Sequence, residues 1–214
     1  MIQKNGKGRI KISKKKFRKQ KLKKIAKKQG FKSIASYVYK VEAGFFLSTL
    51  FFTKETKDGL SVTIWMDIKP YEYDNLFWTI FDMSDNIHSK DSIRANGAFT
   101  APSIRIEKET FVLAKAEDTN NVSQQIVKYI VERYKEYLDS IEYSVVKFNS
   151  EILGKENYPD KELIKMLAYI QNGDISEALK LSKKEIENGH RGGYQNNDQD
   201  IYVYIKEYCE RKLS

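Results

Sequence analysis

The sequence predicts an α+β fold. The expected architecture is an antiparallel meander sheet of four to five strands packed by an N-terminal and a long central helix, with a small C-terminal helical subdomain. Three observations carry that prediction. Residues 14–29 are mostly helix formers and stop at Gly30; residues 37–70 alternate apolar and polar side chains; from Asn121 the apolar period is helical again and stays so. Strands grouped together and followed by helices point to α+β rather than to a parallel sheet built from alternating βαβ units.

Taken in order, Ser13 reads as the N-cap of a first helix whose apolar stripe is Phe17, Leu22, Ile25 and Ala26, with Gly30 as its stop. Tyr37, Tyr39 and Val41 then alternate with Val38, Lys40 and Glu42, which is strand chemistry. Gly44 marks a turn into a second strand, residues 45–53, apolar on both faces and so expected to be central and covered on both sides. Lys57-Asp58-Gly59 is a hairpin turn of the Asp-Gly type. In the third strand Leu60, Val62, Ile64, Met66 and Ile68 alternate strictly with Ser61, Thr63, Trp65, Asp67 and Lys69, and Pro70 ends it. Residues 74–83 read as a short apolar helix capped by Asp74, followed by a polar loop over 84–92. Two weaker strand signals follow, at 98–107 with Pro102 inside and at 110–115, the proline implying an edge or a bulge.

The long helix presents Val122, Ile126, Tyr129, Ile130, Tyr134, Tyr137, Leu138 and Ile141 on one side. Beyond it, Tyr158-Pro159-Asp160 opens a helix with Leu163, Met166, Leu167 and Ile170 inward, stopped at Asn172-Gly173. Asp174 and Glu177 have the spacing of a capping box for the next helix, and a final one turns Ile201, Tyr204, Ile205, Tyr208 and Cys209 inward. The expected organisation is a basic arm (1–12), an α+β domain (13–150) and a helical subdomain of three helices (158–214).

Charge divides the chain unequally. The formal net charge is +9, yet residues 1–41 hold sixteen Lys or Arg and no acid, while the remainder holds 22 basic against 29 acidic residues. A basic leader on an acidic body suggests a polyanion contact or a solvated, self-repelling segment. Lys14, Lys16, Lys19, Lys23, Lys24, Lys27 and Lys28 mainly occupy the outer arc of the first helix and are the candidate polyanion-binding residues. The leader has fourteen Lys to two Arg, and Arg is the side chain that reads phosphates and bases bidentately. An aromatic content of 13% argues against a disordered chain. No apolar run reaches the roughly 18–20 residues of a membrane span, and the basic start lacks the apolar core of a secretory signal, so a cytoplasmic protein is expected. One cysteine, Cys209, leaves no internal disulfide and no cysteine-based zinc knuckle.

Four segments bear a resemblance to a bacterial family. They are the basic first helix ending in Gly30-Phe31-Lys32, the strand Tyr37-Val38-Tyr39, the helix Asn75-Leu76-Phe77-Trp78-Thr79-Ile80-Phe81, and the long helix closing on Tyr137-Leu138-Asp139. Over residues 12–150 or so the chain resembles the domain-of-unknown-function family numbered 4304. That resemblance implies a cytosolic α+β domain and brings no catalytic residues with it. Separately, Leu167-Ala168-Tyr169 through Asn172-Gly173-Asp174 to Glu177-Ala178-Leu179 resembles the middle of a tetratricopeptide-type hairpin, a pattern that generic antiparallel helices also produce.

Catalytic patterns are sparse. The two histidines, His88 and His190, sit in polar loops outside any H-E-x-x-H spacing, and there is no P-loop, dinucleotide fingerprint or G-x-S-x-G elbow. No metal or cofactor is therefore expected. Gly189-His190-Arg191-Gly192-Gly193 could cradle a phosphate, although a helix end followed by a loop explains it more simply. Asp67, Glu72, Asp74, Asp82 and Asp85 cluster in sequence around the third strand and short helix, where two carboxylates could serve acid–base or Mg²⁺ chemistry. Trp65 breaks the polar face of its strand, so either a second layer covers that face or Trp65 joins Tyr37, Tyr39, Asp67 and Glu72 as a ligand or partner face.

Three functions follow in order of support. The first is a non-enzymatic protein-interaction module of the immunity or accessory type found in bacterial conflict systems. The second is nucleic-acid binding through the lysine-rich helix, and the third is an enzyme using Asp67, Glu72 and Asp74.

Overall fold

The computed structural model describes residues 14–57, 59–114, 119–154 and 161–214. The expected arm, the Ser13 cap, Asp58 of the hairpin turn and the Tyr158-Pro159-Asp160 helix start lie outside them. Helix α1 (Lys14–Lys28) leads into strands β1 (Lys32–Ile34), β2 (Tyr37–Glu42), β3 (Phe45–Glu55) and β4 (Gly59–Pro70). Helix α2 (Glu72–Ile80), a 3₁₀ turn (Ser84–His88) and α3 (Ser92–Asn96) connect to β5 (Ile104–Ala114). The helices α4 (Thr119–Ser140), α5 (Val145–Gly154), α6 (Lys161–Asn172) and α7 (Ile175–Glu187) follow. A two-residue hairpin, β6 (Gln195–Asn196) and β7 (Gln199–Asp200), precedes α8 (Ile201–Leu213).

The α+β meander is thus present, with five antiparallel strands in sequence order β1-β2-β3-β4-β5. Short turns set it. The β2–β3 hairpin closes on two residues, Ala43 and Gly44, both at positive φ (49° and 81°), the backbone that matches strand twist. Phe45 to Glu55 pair with Pro70 to Leu60 without interruption, so β3 and β4 form the long centre of the sheet.

Register sorts the side chains onto two faces. Val38, Leu47, Thr49, Phe51, Val62, Ile64, Met66 and Ile68 share the first, because cross-strand partners point the same way. Helices α1 and α4 lie against this face, burying Leu22, Ala26, Ile126, Ile130, Tyr134 and Leu138 with it. A buried hydroxyl inside is satisfied: that of Tyr134 donates to the Ser48 carbonyl (2.7 Å) and lies 3.0 Å from the Thr49 hydroxyl. At the end of α1, Gly30 takes φ +84° and its N–H donates to the Lys27 carbonyl, the expected glycine stop.

Several local expectations are corrected. Helix α2 begins at Glu72, so Asp74 is not its cap but a buried residue within its first turn. The two weak strand signals are one strand, β5, which starts after Pro102 and carries a bulge opposite Met66 and Asp67. Between α4 and α5 the chain turns on Glu142 and Tyr143, both at φ 52°, with no glycine or proline to announce the break. Asp174 starts α7 through its carbonyl, which accepts from the Glu177 and Ala178 N–H groups; its side chain makes no cap bond, so the capping box does not form.

The C-terminal helices join the same core. Phe148 of α5 meets Phe45 and Tyr73, and the Tyr73 hydroxyl donates to Asn149 Oδ1 (2.8 Å). Tyr194 packs edge-on to Phe77, and Tyr204 to Phe81, so α2 lies against α8 and the segment that leads into it. Cys209 is buried on α8, and desolvation pushes its thiol up to about 11, as befits an inert core cysteine. No described helix is long and apolar enough to cross a membrane.

Candidate functional site

The second face of the sheet differs in kind. Its rows, read across β2, β3, β4 and β5, are Tyr37–Leu50–Trp65–Lys108 and Tyr39–Ser48–Asp67–Arg105, with Phe52–Thr63–Thr110 on the side toward the β3–β4 hairpin. The connection between α2 and β5 folds back over one end of this face and leaves the other end open.

The covered end is held by ion pairs. Lys69 at the end of β4 gives its three protons to Asp74 Oδ1 (2.7 Å), the Ala101 carbonyl (2.9 Å) and, at the limit of bonding, the Arg94 carbonyl (3.5 Å). Asp74 also accepts from the Ala101 N–H (2.9 Å), and its second oxygen lies 3.4 Å from Arg94 Nη1. The Arg94 guanidinium lies over the Tyr71 and Trp78 rings, 3.9 and 4.7 Å from their centroids, and donates to Asn75 Oδ1 (2.7 Å). The Trp78 indole N–H donates to the Phe99 carbonyl (2.7 Å). Burial pushes the Lys69 ammonium down while the adjacent Asp74 carboxylate opposes it. This cluster stitches residues 94–101 to the sheet, although Asp74 Oδ2 and Arg94 Nε are left without a hydrogen-bond partner.

Toward the open end lies a polar cleft of about 240 Å³, walled by Ser48, Asp67 and Lys69 from the sheet and by Asn96, Thr100 and Tyr194 from the cover. Arg105 binds both Asp67 oxygens (2.9 and 3.3 Å) and places its guanidinium 4.1 Å from the Trp65 ring centroid. Desolvation raises the Asp67 carboxyl above its ordinary value, with Arg105 opposing. Phe52 approaches Trp65 at 4.5 Å between centroids, and the Lys108 ammonium stands 5.7 Å from the same ring. Trp65 is half-buried and its indole nitrogen has no hydrogen-bond partner, in contrast to Trp78. Phe52 is 41% exposed and Val112 67% exposed.

The structure therefore unites Tyr37, Trp65 and Asp67, as the sequence suggested. Tyr39 shares the face but is buried against Phe46, and Glu72 lies apart on α2, where it accepts from Asn75. Asp74 is committed to Lys69, Asp82 is exposed beyond α2, and no group of three or more His, Cys, Asp or Glu among the described residues could hold a metal. Sequence reading missed Arg105, Lys108, Phe52 and Val112. Their common signal was the uncovered side of β3–β5, which alternation alone does not separate from a solvated face.

The β5 edge of the sheet is partly blocked to pairing. Along β5 the Glu107 carboxylate accepts from the N–H of Lys108 (3.2 Å), and Glu109 accepts from the N–H of Thr110 (2.7 Å). These carboxylates occupy backbone donors that an added strand would need.

On α1, the side chains of Lys14 and Lys16 lie outside the description. Lys19 donates to the Ser36 hydroxyl (3.1 Å) and Lys23 to the Ala35 carbonyl, so both serve the β1–β2 turn. Lys24, Lys27 and Lys28 are exposed. Lys28 borders a groove of about 580 Å³ between α1 and α4 that also carries Lys128 and Glu132, a mixed rather than cationic lining. His190 bonds Glu185 (2.6 Å), Arg191 lies 3.9 Å from Asp200, and Gly192 has no room for a Cβ beside Ile201 and Tyr202, so the 189–193 loop is built for packing.

Compared with protein-family models, curated proteins and solved structures, the chain matches none.

Proposed function

We propose that this chain is a non-enzymatic protein-interaction module that takes its partner on the open half of the second sheet face. The observation carrying this reading is the exposure of Phe52 beside Trp65, and of Val112 two rows further along β5, on strands whose other face is the core. Exposed apolar groups edged by polar ones mark interaction sites. The partly blocked β5 edge favours docking on the face over strand addition. A cytoplasmic setting agrees with the single, buried cysteine.

A second reading, polyanion binding by α1, rests on Lys24, Lys27 and Lys28, the exposed lysines among the side chains described there. Since Lys19 and Lys23 are engaged with the fold, it has fewer cations than the helix sequence offers.

Affinity capture of the full chain from its native host separates the two. The parent protein and a Lys24→Gln, Lys27→Gln, Lys28→Gln variant should retain the same stoichiometric partner, and a Phe52→Asp, Val112→Asp variant should lose it. Empty captures, or a partner indifferent to the face substitutions, would overturn the reading.

A further inference from the structure

Resting on that reading, we infer that the open sheet face recognises an acidic protein segment with an apolar anchor. Among the described residues of the open half, Lys54, Lys108 and Arg105 are cationic and Asp67 is the acid, already held by Arg105 at 2.9 Å. Leu50, Phe52 and Trp65 form the apolar patch, with Val112 two rows further along β5; on the face itself the cations outnumber the one acid, while Glu107 and Glu109 lie along the β5 edge. Complementary charge steers encounter and selects partners, while apolar anchors supply the binding energy.

The same charge excludes other occupants. The chain's own first thirteen residues carry Lys4, Lys7, Arg9 and Lys11 and no acid. A second copy would present the same cationic face, since a two-fold contact sets each patch against itself. A single-stranded nucleic acid would need open ring faces for its bases. Here Arg105 stands over Trp65 at 4.1 Å and Phe52 crowds it at 4.5 Å, leaving Phe52 as the accessible ring. That is a surface for side-chain packing.

Trp65 adds a specific handle. Its buried N–H lacks an acceptor within the fold, and the side chains beside it, Arg105 and Lys108, are long and partly or fully exposed. A carboxylate entering the face would draw Lys108 and Arg105 aside and lie within reach of that N–H.

Selection of a random peptide display library against the immobilised full chain tests this. Enriched peptides should carry Asp or Glu around one or two large apolar residues and should lose binding to the Phe52→Asp, Val112→Asp variant. The Lys54→Glu, Lys108→Glu variant should weaken them about tenfold, mainly through association rate. If peptides depend on Phe52 and Val112 but are neutral or basic, the acidic partner is wrong while the docking face stands. If no peptide depends on those residues, the docking face itself fails. Tight binding of a fluorescent oligouridylate that quenches Trp65 would replace the protein partner with nucleic acid and overturn the inference. Deletion of residues 1–13 should leave peptide affinity unchanged; a gain would show that the chain's own arm is the occupant.

Discussion

Phe51 and Phe52 are neighbours in β3, and they live in different environments. Phe51 points into the layer under α1 and α4 and is fully buried, whereas Phe52 points to the other side and is 41% exposed. The two tryptophans repeat the contrast, since Trp78 is buried with its N–H bonded and Trp65 is half-buried with its N–H unpartnered. One face is a finished core, dry and hydrogen-bonded. The other is finished only where residues 94–101 are stitched down by Lys69, Asp74 and Arg94. Apolar and cationic side chains stay exposed on the remainder.

Substitutions can break or sharpen that contrast. The largest effect should come from Asp74→Ala in the stitched end, which strands Lys69 and Arg94 without their counter-charge; urea unfolding should show a loss of about 3–5 kcal/mol. Phe51→Ala should lose a similar amount, about 3–5 kcal/mol, but Phe52→Ala about 1 kcal/mol or less, its contact with Trp65 being the main loss. Equal costs at the two positions would erase the distinction between the faces. Tyr134→Phe removes the hydroxyl bonded to the Ser48 carbonyl and should cost about 1–3 kcal/mol by the same measurement.

The smallest effect is a pH dependence. Because the Asp67 carboxyl is raised in the fold, its favourable contribution is complete below the ordinary value near 3.8 and is lost as pH climbs through the raised value. Asp67→Asn lacks that loss. The difference in unfolding free energy between variant and parent should therefore move in the variant's favour as pH rises through this window. A pH-independent difference would mean that Arg105 cancels the desolvation of Asp67.

Much of this architecture was legible because it is local. Strict alternation from Leu60 to Lys69, the hairpin positions and the Gly30 stop follow from period and turn chemistry. β5 was obscured because its bulge changes parity: Ile104 faces the core, then Glu107, Glu109 and Phe111 do, so no single alternation runs through the strand. Asp74 was misread because its partner Lys69 looked like a solvated strand end and its second cation, Arg94, lies twenty residues away. The site was half legible. Trp65 announced itself as an apolar residue on a polar face, whereas the pairing of Arg105 with Asp67 depends on the β4–β5 register, which composition does not encode.

The central claim is that the open half of the sheet, and not the lysine helix, meets the partner. A photo-crosslinking amino acid placed at position 52, and separately at position 24 on α1, tests it in the native host. The account predicts one discrete protein adduct from position 52, abolished by Lys54→Glu with Lys108→Glu, and none from position 24. Adducts from position 24 alone would contradict it.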